Sequence, residues 1–180
     1  MVYIKMSLSE SHFRFCQVRF LCYNLKNNDP RFYSAYHNLG ILYKEAYKDY
    51  EKAMEYYNKV LRLNSKFPNI YNYIAGVYLA TGKYADAMEA VQKELSVNKP
   101  TPFTYRTLGE IYLETGEYNK AMEVVEKSLT LRKDYAAGHL IRGLIYEKMG
   151  DKFKAIQDIR KAKELNPFDQ RIKEHYDRLK

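Results

Sequence analysis

The chain has 180 residues, a formal net charge of +8 and 46% apolar residues, so it can build a buried core and is not disordered by composition. No run of about 18 apolar residues occurs, and the first residues lack the apolar stretch of a secretory signal, which excludes a transmembrane helix and a signal peptide as expectations. We therefore expect a soluble, cytoplasmic protein.

Residues 1–32 precede the regular part of the sequence. Pro30 lies where a helical repeat would end, and apolar residues take the inward positions of a helix before it, so we predict a degenerate helical segment. This segment caps the chain, or else the natural protein continues upstream. Cys16 and Cys22 point in different directions on that helix, so we expect no disulfide between them.

Four consecutive segments then repeat one pattern, at residues 33–67, 68–101, 102–135 and 136–169. The first segment has one extra residue relative to the 34 of the others. Position 8 is small, position 11 is tyrosine and position 20 is alanine: Gly40, Ala75, Gly109, Gly143; Tyr43, Tyr78, Tyr112, Tyr146; Ala53, Ala87, Ala121, Ala155. Small residues at positions 8 and 20 let two antiparallel helices approach closely, so each segment is predicted to form a helical hairpin that stacks on its neighbours.

The turn inside each hairpin has its own signal. A glycine able to adopt positive φ stands there in three segments: Gly82, Gly116 and Gly150. The first segment has Tyr47 and the extra residue instead, so we predict a longer loop or an extended first helix. In the last segment His139 and Arg142 replace the usual aromatic residue and leucine, so we expect less typical packing there.

Residues 170–180 follow the last repeat. Ile172, Tyr176 and Leu179 recur at helical spacing, and the opposite face is charged. This pattern predicts an amphipathic C-terminal capping helix that covers the end of the array. A partner-binding tail is the alternative.

The pattern resembles the tetratricopeptide repeat (TPR) family over residues 33–169. The family's Leu-Gly pairs and terminal proline stand at Leu39-Gly40, Leu108-Gly109 and Pro167. The resemblance implies an all-α fold, a right-handed superhelical α-solenoid of helix-turn-helix repeats. It also implies a protein–protein interaction adaptor or scaffold that binds a peptide or helix of a partner protein on its concave face.

In this family the first helix of each hairpin lines the concave face. Mapping those positions predicts the following partner-binding residues: His37, Asn38, Ile41, Asn69, Asn72, Tyr73, Phe103, Arg106, Glu110, Leu140, Ile141 and Leu144. The asparagines can hydrogen-bond a ligand's backbone, and Tyr73, Phe103 and Arg106 are of the types enriched in binding hot spots. The three residues from the last repeat either accept apolar side chains of the ligand or pack under the C-terminal helix.

Signatures of other functions do not occur in the sequence. The four histidines are scattered, and no H-E-x-x-H, G-x-S-x-G or complete phosphate-loop motif is present. We therefore expect neither an enzyme nor a metal or other cofactor. An RNA-binding helical repeat is one alternative function. Residues 68–135 carry eight basic and nine acidic side chains, so nucleic acid is not the expected partner. Self-association into a homo-oligomer is the other alternative.

Overall fold

The computed structural model describes residues 33–179, which form α-helices and contain no strand. The helices are α1 (Tyr33–Leu42), α2 (Tyr50–Leu63), α3 (Ile70–Ala80), α4 (Tyr84–Val97), α5 (Pro102–Glu114), α6 (Tyr118–Leu131), α7 (Ala136–Lys148), α8 (Lys152–Leu165) and α9 (Gln170–Leu179). The predicted degenerate N-terminal segment and both cysteines lie outside the described residues. The predicted all-α helical repeat fold is confirmed.

The chain forms two compact units, and the boundary between them lies between Phe67 and Pro68. In the first unit, α1 packs against α2. In the second unit, the pairs α3 with α4, α5 with α6 and α7 with α8 form hairpins, and α9 packs on α8. Each segment of the sequence repeat thus contains one helical hairpin.

The turn of the first hairpin accommodates the extra residue within its first helix. Residues Tyr43–Tyr47 form a π-helical turn directly after α1. The first helix is therefore extended, which is one of the two predicted alternatives; the other was a longer loop. Lys48 follows with φ of 54°, the left-handed conformation that Gly82 adopts with φ of 71° in the next hairpin. The Asp49 amide donates to the Tyr43 carbonyl at 3.0 Å, which closes the wider turn.

Close approach of the paired helices explains the small residues at position 8. A Cβ on Gly109 would lie 2.2 Å from Cγ2 of Val125, and a Cβ on Gly143 would lie 2.7 Å from Cγ1 of Ile159. The Gly143 position is also 3.1 Å from the carbonyl oxygen of Ala155, at position 20. The predicted close contact between positions 8 and 20 is confirmed, and the side chain at position 24 fills the space above the glycine.

The last hairpin replaces apolar packing with a polar triad. Arg142 donates to both carboxylate oxygens of Asp158, with Nε–Oδ2 at 2.7 Å and Nη2–Oδ1 at 2.8 Å, and His139 Nδ1 lies 3.0 Å from Oδ1. Burial acts to raise the pKa of Asp158, but the hydrogen bonds from Arg142 and His139 outweigh it and lower that pKa. The predicted less typical packing of this hairpin is therefore explained by polar side chains of α7 and α8 that pair with one another.

One hydrophobic cluster in the second unit runs from α5 to α9. Its buried members are Leu113, Ala121, Val125, Leu129, Leu140, Ile141, Leu144, Ile145, Ile159, Ala162 and Ile172. Ile172 of α9 is 1% exposed, and Tyr176 and Leu179 pack against the cluster. The apolar face of α9 therefore covers the end of the second unit.

Candidate partner-binding face

Three predicted groove residues lie in the hydrophobic core rather than on a surface. Leu140, Ile141 and Leu144 of α7 are 3%, 1% and 8% exposed and share one cluster with Ile172 of α9. A ligand cannot reach side chains that the protein's own helices cover. Their assignment to partner binding is corrected: these residues pack under the C-terminal helix, which was the alternative interpretation.

The two predicted asparagines of the second unit hold α3 to α5. Asn72 is 1% exposed, and its Nδ2 donates to Oδ1 of Asn69 at 3.1 Å and to Oγ1 of Thr104 at 3.0 Å. Asn69 Oδ1 also accepts from Oγ1 of Thr101 at 2.9 Å. The side-chain amide of Asn72 donates its hydrogen bonds to residues inside the protein. Its predicted role in binding a ligand's backbone is therefore corrected to a structural one.

A buried carboxylate fixes the start of α3. Glu94 of α4 is 1% exposed, and it accepts from the backbone amides of Asn69 at 2.9 Å and Tyr71 at 3.2 Å. Asn98 Nδ2 donates to the same carboxylate at 2.9 Å. Since the first amides of a helix lack partners within the helix, this carboxylate supplies a cap from the neighbouring helix. It positions the first turn of α3, and with it Tyr73.

The half-buried part of the predicted face is an aromatic–cation cluster, which consists of Tyr73, Phe103, Arg106 and Glu110. The Tyr73 ring meets the Phe103 ring edge-on, with 5.0 Å between centroids and 65° between planes. The Arg106 guanidinium carbon lies 4.7 Å from the Phe103 centroid and pairs with the Glu110 carboxylate one turn further along α5. These contacts connect the first helices of two consecutive hairpins into one surface.

A residue of the capping helix also pairs with the carboxylate of this cluster. Glu110 accepts from Arg106 and also pairs with Arg171 of α9, whose Nη1 lies 2.6 Å from Oε1. Burial disfavours the charged form of Arg106, yet Glu110 and Tyr135 outweigh this and raise its pKa. Burial also raises the pKa of Tyr73, so its hydroxyl stays neutral at physiological pH. The surface therefore offers aromatic rings, a fixed cation and one shared carboxylate.

The predicted residues of the first repeat belong to the first unit. The His37 ring is tilted against Phe67 at 5.0 Å and against Tyr57 at 6.3 Å, measured between ring centroids. Burial lowers the pKa of His37, and its hydrogen bond with Asn38 opposes part of that effect. Asn38 is exposed and Ile41 is half-buried. His37 is thus largely a packing residue, whereas Asn38 is on the surface.

Two residues at this site were missed from the sequence. Arg171 contacts Glu110 from a helix that the repeat pattern treats only as a cap. Tyr135 stabilises the charged form of Arg106, although it stands in the turn before α7. For Arg171 the sequence did offer a signal, namely the excess of basic side chains in residues 170–180, which contain four basic and two acidic residues.

Two other classes of site are not found in residues 33–179. No three His, Cys, Asp or Glu side chains in that range come close enough to hold a metal ion. No helix in the same range is long and apolar enough to cross a membrane.

Comparison with protein families gives two matches. Residues 46–128 match the family "Anaphase-promoting complex, cyclosome, subunit 3", and residues 136–169 match the family "Tetratricopeptide repeat". The second match coincides with the fourth segment of the repeat. The curated proteins include no match to this chain.

Solved structures of TPR proteins share the fold. A thermophilic TPR protein of Thermus thermophilus superposes with a TM-score of 0.73 and 22% identity, over 82% of this chain and 80% of that one. The APC/C hetero-tetramer Cut9–Hcn1 gives a TM-score of 0.64 and 19% identity, over 82% of this chain and 30% of that one. YrrB, described as a TPR protein with an unusual peptide-binding site, gives 0.52 and 18%, over 81% and 74%.

The family matches and the shared fold together identify the chain as a member of the tetratricopeptide repeat family. Proteins of this family are generally non-enzymatic scaffolds, and the chain accordingly falls in the class of protein–protein interaction scaffolds.

Proposed function

We propose that the chain is an adaptor that binds a peptide or helical segment of a partner protein on the first helices of its second unit. The aromatic–cation cluster is the observation that carries this proposal. Tyr73, Phe103 and Arg106 are of the residue types enriched in hot spots, and they are in contact with one another. An apolar side chain of the partner packs on the two rings.

The contacts that hold the cluster in place favour binding of a ligand without rearrangement of its side chains. Tyr73 follows a helix start fixed by Glu94, and Arg106 is held by Glu110. A side chain that is already ordered loses less conformational entropy when a ligand binds. YrrB, with its unusual peptide-binding site, is a relative in fold that fits this type of function.

RNA binding is the rival function, and the near-neutral charge of the repeats that carry the cluster argues against it. A phosphate backbone requires an excess of cations. Residues 68–135 instead carry eight basic and nine acidic side chains. A partner retained only in nuclease-sensitive form would support the rival.

A pull-down from a lysate of the source cells tests the proposal. The bait variants are wild type, a Phe103→Ala/Arg106→Ala double variant and a matched Phe168→Ala/Arg62→Ala double variant at exposed sites elsewhere. Glu110 keeps Arg171 as a partner in the first variant, so folding should persist, which circular dichroism checks. We expect a protein that wild type and the control retain and the first variant loses. Retention by all three baits would contradict the proposal.

A further inference from the structure

A groove remains between α8 and the capping helix, on a different part of the second unit. Its volume is about 200 Å³, and its lining consists of Ile156, Ile159, Arg160, Tyr176 and Leu179. Ile159 is buried, whereas Ile156, Tyr176 and Leu179 are only half-buried. Apolar surface is therefore left uncovered where the capping helix meets the last repeat. This α8–α9 groove has the dimensions of a pocket for one large apolar side chain.

Two ion pairs hold the far wall of the groove in place. Arg178 of α9 donates to both carboxylate oxygens of Glu147, at 2.6 and 2.8 Å. Arg171 at the start of α9 pairs with Glu110 at 2.6 Å. Because α9 is tied near both ends to the first helices of two hairpins, the groove is preformed.

The rim of the groove is basic. Arg160 is exposed and forms no ion pair with any of residues 33–179. Lys163 places its Nζ 3.8 Å from the centroid of the Tyr176 ring, beside the groove, and also lies 3.9 Å from the carboxylate of Asp177 on α9. Helix α8 carries five basic and two acidic side chains, and one of the acidic ones, Asp158, is occupied by Arg142 and His139. Arg160 is therefore the rim cation that an acidic ligand would meet without a carboxylate partner among residues 33–179.

We propose that the α8–α9 groove is a second docking site, which binds an acidic segment of a partner protein. One apolar side chain of that segment enters between Ile156 and Leu179, and a neighbouring carboxylate pairs with Arg160. The charge complementarity of the rim selects an acidic segment over a neutral or basic one. The lining of this groove shares no residue with the aromatic–cation cluster, although Arg171 of α9 pairs with Glu110 of that cluster.

Fluorescence anisotropy with defined peptides tests the second site. The probes are short fluorescein-labelled peptides with one leucine or phenylalanine among aspartates and glutamates at varied spacing, titrated into the full chain. We expect at least one peptide to bind and Arg160→Glu to weaken it about tenfold or more. The matched control is Lys161→Glu, the same charge reversal at the adjacent exposed residue outside the groove. It should leave the affinity within about twofold.

Further variants separate the alternatives. Ile156→Ser removes apolar lining from a half-buried position and should also weaken the peptide. Equal losses in Arg160→Glu and Lys161→Glu would overturn the proposal, since they indicate general attraction to a basic surface. Loss in Phe103→Ala/Arg106→Ala alone would place the peptide on the aromatic–cation cluster instead. Absence of binding by every peptide would overturn it as well. So would sedimentation that shows a dimer of the wild-type chain and a monomer of Arg160→Glu, since the groove would then bind a second copy.

Discussion

At the scale of single residues, the turn inside each hairpin requires one residue with positive φ. Gly82, Gly116 and Gly150 meet this requirement, but Lys48 adopts φ of 54° in the first hairpin. An L-residue in this conformation brings its Cβ close to the following carbonyl oxygen, which costs about 1–2 kcal/mol. The turn of the first hairpin therefore contains a local strain that the turns of the other three hairpins avoid.

Replacement of Lys48 by glycine relieves this strain. We predict that Lys48→Gly raises the free energy of unfolding by up to about 1 kcal/mol, since the loss of strain exceeds the added entropy of the unfolded chain. Urea unfolding followed by circular dichroism measures the change. Lys52→Gly, the same substitution inside α2, should lower stability. A loss of stability in Lys48→Gly would show that the strain is absent.

Helix contact at Gly109 gives a second prediction at this scale. A methyl group there would lie 2.2 Å from Cγ2 of Val125, so Gly109→Ala should cost about 1–3 kcal/mol despite the better helix propensity of alanine. Thermal or urea unfolding measures the cost. Val125→Ala makes room for the methyl group, so the double variant should lose less than the sum of the single losses. Additive losses would contradict the contact.

At the scale of elements, the polar triad joins α7 to α8. Asp158 has a 9% exposed side chain, and both of its partners lie on the other helix. Asp158→Ala leaves a partly buried arginine without its carboxylate, so it should cost about 3–5 kcal/mol. The residues at these positions in the third repeat are Tyr105, Leu108 and Val124. Their transfer, as His139→Tyr/Arg142→Leu/Asp158→Val, should leave stability unchanged or raise it, measured by thermal unfolding.

Acid distinguishes the triad from its apolar replacement. The pKa of Asp158 is lower in the folded chain than in the unfolded chain. Its contribution is therefore complete above about pH 4 and is lost as the pH falls through the folded-state pKa. Between about pH 5 and pH 2, wild type should lose more stability than the triple variant. Parallel losses would show that the triad does not control this sensitivity.

The capping helix depends on one buried side chain. Ile172 is 1% exposed and belongs to the same cluster as Leu140, Ile141 and Leu144. We predict that Ile172→Ala lowers the free energy of unfolding by about 2–5 kcal/mol, through lost burial and the cavity that remains. Chemical unfolding measures this loss. An Ile172→Ala variant as stable as wild type would mean that α9 is not part of the cooperative core.

At the scale of the whole molecule, periodicity accounts for what the sequence could predict. Residues that repeat every 34 positions do the same work in every hairpin, so the helices, the turn glycines and the close contacts at Gly109 and Gly143 follow from the pattern. The capping helix could be predicted for a similar reason, because its apolar residues recur at regular helical spacing.

What departs from the repeat could not be predicted in the same way. His139, Arg142 and Asp158 lie in one segment, but the repeat pattern records only apolar residues at the equivalent positions, so it does not predict that polar side chains there pair with one another. The error over Leu140, Ile141 and Leu144 has a related cause. A position that lines a groove in other repeats becomes part of the core when a capping helix packs over it. The same repeat position is therefore buried in the last hairpin.

Photo-crosslinking tests the central claim, that the aromatic–cation cluster contacts a partner protein, most directly. Phe103 is replaced by the photoreactive p-benzoylphenylalanine in the full chain, expressed in the source cells, and exposed Phe168 is replaced in the control. A crosslinked partner polypeptide is predicted on irradiation of the chain labelled at position 103 and not of the chain labelled at 168. A partner crosslinked only from position 168, or none from position 103, would contradict the claim.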